Sequence, residues 1–171
     1  MRGSQGTYPQ AMKIKFFTTG GTIDKVYFDA KSEFQVGHPQ VVELIEEANV
    51  AFEYEVESIL RKDSLDMTDA DRALVRQRVE ADACRLVVVT HGTDTMVQTG
   101  RALAGIPGKT IVLTGSMQPA RFRSTDAEFN IGAAIGAVQS LPPGVYIVMN
   151  GRVFDPQRTR KNLEKNCFED A

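Results

Sequence analysis

The order of apolar and polar positions divides this chain into alternating strands and helices. Residues 13–18 open it as a strand, with Ile14, Phe16 and Phe17 leading into Thr18 and Thr19. Pro39 suits the first turn of a helix, where its missing N–H would have no partner anyway. Val41, Val42, Leu44, Ile45 and Ala48 give that helix an apolar face, with Glu43, Glu46 and Glu47 largely on the other side. Residues 52–60 switch to a period of two, Phe52, Tyr54 and Val56 against Glu53, Glu55 and Glu57. That alternation predicts a half-exposed strand near a sheet edge. Thr68 with Asp71 makes a capping-box pattern and opens a helix that runs to about Ala81.

The most continuous apolar run is Leu86, Val87, Val88 and Val89, which leads into the polar knot His91-Gly92-Thr93-Asp94-Thr95. Helical spacing resumes at Met96 and lasts to Ala104. This is strand, tight turn and helix, built on a buried parallel strand. Residues 105–108 turn the chain into a second buried strand over residues 110–114, and residues 115–125 form a polar connection. Thr125 with Glu128 repeats the capping-box pattern. The helix over residues 127–139 carries Gly132, Ala133, Ala134, Gly136 and Ala137, small enough to pack closely on a sheet. A further strand covers residues 145–149. Asn150-Gly151 is a two-residue hairpin signal, so residues 152–154 return antiparallel.

Two stretches show no clean period. Residues 24–37 read as a long loop, and loops of that length are usually functional or mobile. Polar, glycine-bounded ends and aromatic residues suit a lid; Tyr27 and Phe28 serve equally well as hydrophobic anchors of the loop. Residues 155–171, with Arg158, Arg160, Lys161 and Lys165, read as a solvated tail. Residues 1–11 read as an extension appended to a domain of residues 12–171. The sequence βαβαβαβαββ predicts a single α/β domain.

A length of 171 residues suits one domain with a sizeable core. A net charge of −2 sets up no global field for nucleic acid or an anionic membrane. No apolar segment is long enough to span a bilayer, and the amino terminus lacks the apolar stretch of a secretory signal. A cytoplasmic protein, with no nucleic-acid or membrane partner, is the expectation. Cys84 and Cys167 supply neither a disulfide framework nor metal spacing, and two histidines do not suggest a His-rich metal site.

Candidate chemistry sits where strands end, because ligands of open α/β sheets bind outside the carboxyl ends of the strands. Thr93 and Asp94 fall at an expected helix start, where free N–H groups attract anions and oxyanions. Either residue could instead be the N-cap. The first strand ends in Thr18-Thr19-Gly20-Gly21-Thr22-Ile23-Asp24. Its two glycines let the backbone turn sharply and approach a ligand. The spacing is neither a P-loop nor a Gly-x-Gly-x-x-Gly fingerprint, so phosphate binding has little support. Two strand ends that each offer a threonine, one beside an aspartate, suggest hydroxyl nucleophile chemistry.

Taken in order, Thr19-Gly20-Gly21-Thr22-Ile23 and His91-Gly92-Thr93-Asp94-Thr95 resemble the two signature motifs of bacterial-type L-asparaginases and glutaminase-asparaginases. The likeness also takes in residues 124–130 and 148–155, and covers residues 12–169. The family usually has two domains, and this chain is similar to the larger, amino-terminal one, without the carboxyl-terminal domain. The resemblance therefore implies a three-layer α/β/α fold whose mostly parallel sheet ends in an antiparallel strand. It implies hydrolysis of L-asparagine to L-aspartate and ammonia through a threonine acyl-enzyme, with no metal and no cofactor. The alternatives are a glutaminase or another amidase of the family, or a non-catalytic protein that senses amino acids or serves as a partner subunit.

Carried over by position, Thr22 matches the nucleophile and Tyr27 the tyrosine that activates it, although Phe34 stands where some longer relatives place that tyrosine. Thr93 and Lys161 match a second Thr–Lys pair, with Asp94 on the substrate's α-ammonium. Ser64 matches a ligand of the substrate carboxylate, and Leu65 stands where secreted relatives often have glutamine. Gly21 and Gly92 complete the substrate-binding positions. A glutamate that those relatives take from a neighbour's second domain has no counterpart. The resemblance further implies a homo-oligomer, a dimer or tetramer, since apolar surface otherwise covered by a second domain must be buried or replaced.

Overall fold

The chain runs through β1 (Lys13–Gly20), β2 (Lys25–Phe28), β3 (Glu33–Val36), α1 (Val41–Glu47), β4 (Glu53–Lys62), α2 (Asp69–Ala81), β5 (Leu86–Thr90), α3 (Met96–Ala102), β6 (Thr110–Thr114), α4 (Ala127–Ser140), β7 (Gly144–Met149), β8 (Arg152–Phe154), β9 (Thr159–Asn162) and β10 (Cys167–Asp170). These elements come from a computed structural model that describes residues 12–28 and 33–171. The extension expected at residues 1–11 lies outside the described residues.

Six strands form the main sheet, in the order β4-β1-β5-β6-β7-β8. β1 pairs in parallel with both β4 and β5, and β5, β6 and β7 continue in parallel. β8 returns antiparallel to β7 across Asn150 and Gly151, whose φ values of 55° and 74° suit the expected hairpin turn. Alternate residues of the central strands feed two cores. Ile14, Phe16, Val88 and Val112 meet Val41 and Ile45 of α1 and Ile131, Ala134 and Val138 of α4. Phe17, Val87, Val89, Ile111 and Leu113 meet Val75 and Val79 of α2 and Met96 and Val97 of α3. Burial on both faces explains the unbroken apolar runs. Each fully buried side chain such as Phe16 or Val88 stabilises the fold by about 1.5–3 kcal/mol relative to exposure. The three-layer α/β/α expectation is met.

Several local expectations are met as well. β4 is an edge strand, and its glutamates pair with lysines of β1: Glu55 with Lys13 and Lys15, and Glu57 with Lys15. The first capping box forms, with Asp71 N donating to Thr68 Oγ1 at 3.2 Å and Thr68 N to Asp71 Oδ2 at 2.8 Å. The second does not. Asp126 takes the N-cap position of α4, and its carboxylate accepts instead from Met117 N, Gln118 N and Asn130 Nδ2. Among the described residues no helix is long and apolar enough to cross a membrane.

Two stretches differ from expectation. Within the stretch expected to be an irregular loop, residues 25–28 and 33–36 are instead strands: β2 and β3 pair antiparallel, with Val26 opposite Gln35, while residues 29–32 lie outside the described residues. Residues 155–171 are not a solvated tail. β9 and β10 form a second hairpin, docked by Phe168, which is only 3% exposed and packs 6.2 Å from Phe154. Arg101 of α3 secures its base by donating to the carbonyls of Pro156 and Thr159.

Asp24 ties the first hairpin to the sheet. Its carbonyl accepts from Gly37 N at 2.7 Å, and its carboxylate accepts from Gln40 N, one residue before α1, at 2.8 Å. The side chain is buried, and burial pushes its carboxyl up to about 6, against the pull of the Gln40 N–H and the Arg61 charge. A carboxyl whose folded pKa exceeds its unfolded value favours folding most at low pH, and this contribution is lost as pH rises through about 6. Asp24→Asn keeps a carbonyl for Gln40 N and removes the titration. Its melting temperature relative to the parent should therefore rise between pH 5 and pH 8, by a margin corresponding to on the order of 1 kcal/mol, because the rest of the shift is already expressed below pH 5. Thermal unfolding at both pH values checks this; an unchanged difference would refute it.

Candidate active site

The site begins with two glycines. Gly20 and Gly21 have φ of 95° and 92°, a region that side chains disfavour. A Cβ on Gly21 would lie 2.4 Å from both Cα and N of Gly92, and a Cβ on Gly92 would lie 2.6 Å from Cβ and Oγ of Ser64. Three turns thus meet at the carboxyl ends of β1, β5 and β4, Gly21 against the backbone of Gly92, and Gly92 against the Ser64 side chain. Hydrogen bonds lock them together. Gly21 N donates to Lys62 O at 2.9 Å, Thr19 Oγ1 to Thr90 O at 2.9 Å, and Thr95 Oγ1 to Ser64 O at 2.7 Å. The turns carrying Thr22, Ser64 and Thr93 meet because nothing larger than hydrogen separates them.

Thr22 starts a 3-10 turn, Thr22–Asp24, directly beyond this contact, and is partly exposed. Thr93 is 4% exposed and Asp94 more open. Neither caps α3: its N-cap is Thr95, without a side-chain cap bond, so the capping alternative for Thr93 and Asp94 is excluded. Their side chains turn instead toward Lys161, delivered by the β9–β10 hairpin. Lys161 Nζ donates to Thr93 Oγ1 at 2.7 Å and to Asp94 Oδ1 at 2.6 Å, with the lysine side chain only 10% exposed. Three predicted residues, two of them more than sixty positions from the third, form one hydrogen-bonded cluster.

Ser64 stands in the short 3-10 turn that follows β4. It is 1% exposed and its Oγ has no hydrogen-bond partner, lying against Gly92 and closed off from solvent. Contact with a substrate carboxylate would require that hydroxyl to swing out. Leu65 beside it is 71% exposed on the rim. Asp63, whose carboxylate accepts from Leu65 N at 3.2 Å, binds Lys25 Nζ at 2.7 Å and so links this turn to β2. The backbone of Tyr27 lies in β2 opposite Phe34, but the Tyr27 side chain is outside the described residues.

Some of the surroundings were not expected from the sequence. His91 is fully buried between Gly92 O and Thr99 Oγ1, 2.7 Å from each. Its parity with Val87 and Val89 already points it toward the α2–α3 core. Burial, in part offset by the Gly92 carbonyl, lowers its pKa to about 4. Residues 115–121 form another wall: a Cβ on Gly115 would lie 2.2 Å from His91 O, and Ala120 N donates to Ile23 O at 3.1 Å. No three metal-ligating side chains gather among the described residues.

This arrangement has relatives. The chain is 29% identical to the L-asparaginase of Thermococcus kodakarensis, over 92% of this chain and 51% of the other. It is 31% identical to L-asparaginase 2 of Escherichia coli, over 93% of this chain and 49% of that one. It is 30% identical to a subunit of the glutamyl-tRNA(Gln) amidotransferase of Methanococcus maripaludis, over 86% and 37% respectively. In three dimensions it matches the thermostable L-asparaginase from Thermococcus kodakarensis with a TM-score of 0.82 at 28% identity, covering 93% of this chain and 51% of that one. The chain spans about half the length, or less, of the curated relatives it matches. The family model for the N-terminal domain of asparaginases matches residues 13–169, and the chain belongs to the asparaginase family.

Proposed function

We propose that this chain is an amidohydrolase that converts L-asparagine to L-aspartate and ammonia. The observation that carries this reading is the Thr93–Lys161–Asp94 cluster, held at the turn that packs on Gly21 and Thr22. Thr22 Oγ attacks the side-chain amide carbon, the C–N bond breaks, and the amide nitrogen takes a proton and leaves as ammonia. Water then attacks the resulting ester, releasing aspartate and restoring the Thr22 hydroxyl. Lys161 Nζ lies 2.7 Å from Thr93 Oγ1 and 2.6 Å from Asp94 Oδ1, close enough for proton transfer among the three groups. In this reading the Tyr27 phenol takes up the Thr22 proton as its own hydroxyl proton passes to the amide nitrogen, which leaves as ammonia; in the second step Lys161, through Thr93 Oγ1, takes the proton of the attacking water as the Thr22 oxygen regains one.

Asp94 carries two duties. One oxygen is engaged by Lys161, which leaves the other for the substrate's α-ammonium. A carboxylate shared between two cations grips each less firmly. With the Ser64 hydroxyl turned in and Leu65 apolar, the amino-acid clamp is looser than the family pattern implies.

The similarity to one subunit of an amidotransferase supports a second reading, an amidase that works with a partner protein. Ammonia assays on the isolated chain with asparagine, glutamine and D-asparagine separate the two. Release from asparagine by the chain alone supports the first reading, and none from any amide favours the second. Leu65 and Leu163, 71% and 75% exposed, support association of this chain with itself.

Three outcomes are expected. Thr22→Ala and Lys161→Ala should each reduce turnover by at least ~10²-fold; near-normal turnover in Thr22→Ala would move the attack to Thr93 or another group. Each charge-assisted contact missing from the clamp should cost about 1.5–3 kcal/mol of binding. The KM for asparagine should then lie near or above roughly 1 mM, with glutamine hydrolysed far less efficiently. Steady-state kinetics on both amides decide this: a micromolar KM, or equal kcat/KM values, would contradict it. Light scattering should find an oligomer at micromolar concentration, and a monomer there would reject self-association.

A further inference from the structure

A buried histidine stands directly behind the Gly92–Thr93 peptide, and none of the chemistry above uses it. His91 follows β5 without a break, its N–H donating to Thr114 O at 2.9 Å and so extending the strand ladder. Its ring is held at both nitrogens. Nδ1 lies 2.7 Å from Gly92 O, and a carbonyl can only accept, so Nδ1 carries the proton. Nε2 is then an acceptor, and Thr99 Oγ1, 2.7 Å away, donates to it. The ring is thus locked in one tautomer and one orientation. With its pKa lowered to about 4 it stays neutral near neutral pH and is not a proton carrier there.

The carbonyl that His91 grips belongs to the same rigid plane as the N–H of Thr93, and in a trans peptide the two point in opposite directions. Fixing Gly92 O therefore aims Thr93 N–H away from the histidine and out of the core. Among the described residues that N–H has no hydrogen-bond acceptor, although Thr93 is only 4% exposed. A backbone donor without a protein partner is left to a ligand or solvent to satisfy. We propose that His91, braced by Thr99, is a positioning residue that aims the Thr93 N–H at the oxyanion formed on the substrate amide carbon. This rests on the amidohydrolase reading for its purpose, but the aiming itself is a property of the protein alone.

The test uses the full chain and variants chosen by which ring nitrogen they imitate. His91→Asn puts an amide N–H near the place of Nδ1; His91→Gln reaches toward Nε2 and leaves Gly92 O without its donor. With His91→Gln, kcat should fall on the order of 10–100-fold while KM stays within about threefold, because an oxyanion contact matters in the transition state. His91→Asn should recover most of that loss. In amide NMR spectra the Thr93 resonance should shift and broaden in His91→Gln and return toward its parent position in His91→Asn. Should His91→Gln not fold, Thr99→Val serves: it keeps the ring, removes the partner of Nε2, and should move the Thr93 amide as well. A Thr93 amide that stays in place in the folded variant overturns the inference, whatever the activity. Equal losses in His91→Asn and His91→Gln would reduce the residue to packing and overturn it too. If the parent protein releases no ammonia while the Thr93 amide moves as expected, the proposed activity fails and the aiming role stands.

Discussion

The approach of Gly21 to Gly92 sets the dimensions of the site. A Cβ on the first would stand 2.4 Å from the backbone of the second, a distance real atoms do not tolerate. β1 and β5 are adjacent parallel strands in register, Thr18 opposite Thr90, so their turns leave the sheet at the same height. Parallel neighbours lie about 4.7–4.9 Å apart, and only hydrogen-sized residues let their turns remain that close beyond the strands. The positions of Thr22 and Thr93 follow from sheet geometry and backbone contact, with no long side chain between them to adjust. Ser64 packs its side chain on Gly92 in a second close contact, which encloses its hydroxyl.

Lys161 enters this frame from the far end of the chain, and its placement depends on a different force. The β9–β10 hairpin is polar along most of its length, and it docks because Phe168 is buried against Phe154 while Arg101 holds the carbonyls of Pro156 and Thr159. Register sets Phe168 directly opposite Lys161. Opposite residues of an antiparallel pair project from the same face, so the burial that holds Phe168 also turns Lys161 inward. Apolar packing, worth about 1.5–3 kcal/mol for such a side chain, thereby brings an ammonium into a place only 10% exposed. Asp94 and Thr93 supply the hydrogen bonds that make this tolerable.

What could be read from the sequence follows from where periodicity is strong. The unbroken run at Val87–Val89, the alternation in β4 and the Thr68–Asp71 box each have one physical interpretation, and each is realised. The β2–β3 hairpin was hidden because a two-stranded ribbon outside the main sheet is not required to alternate as a sheet strand is, and its apolar and polar positions show no clean period. The β9–β10 hairpin was hidden because one phenylalanine supplies most of its anchoring. The start of α4 misled because local pattern does not report that residues 117, 118 and 130 claim the Asp126 carboxylate. At the site, Thr22, Thr93 and Asp94 were legible from motifs at strand ends, and Lys161 only through resemblance. The inward turn of Ser64 and the engagement of Asp94 by Lys161 are tertiary facts with no signature in spacing.

Charge is distributed unevenly around these turns. His91 is kept neutral by burial, and Asp24 is enclosed with its ionised form disfavoured. Asp94 and Lys161 form the ion pair nearest Thr93, and Asp94 is its more open end. A zwitterionic amino acid approaching this surface meets a pair whose negative member is the more accessible. Coulomb attraction is far stronger in such a partly enclosed place than in water, so under the proposed function the ammonium of an amino-acid substrate would be drawn to Asp94, with its side chain extending toward Thr22. Orientation in this protein would then be set by which end of one ion pair is exposed, a consequence of the depth at which the β9–β10 hairpin places Lys161.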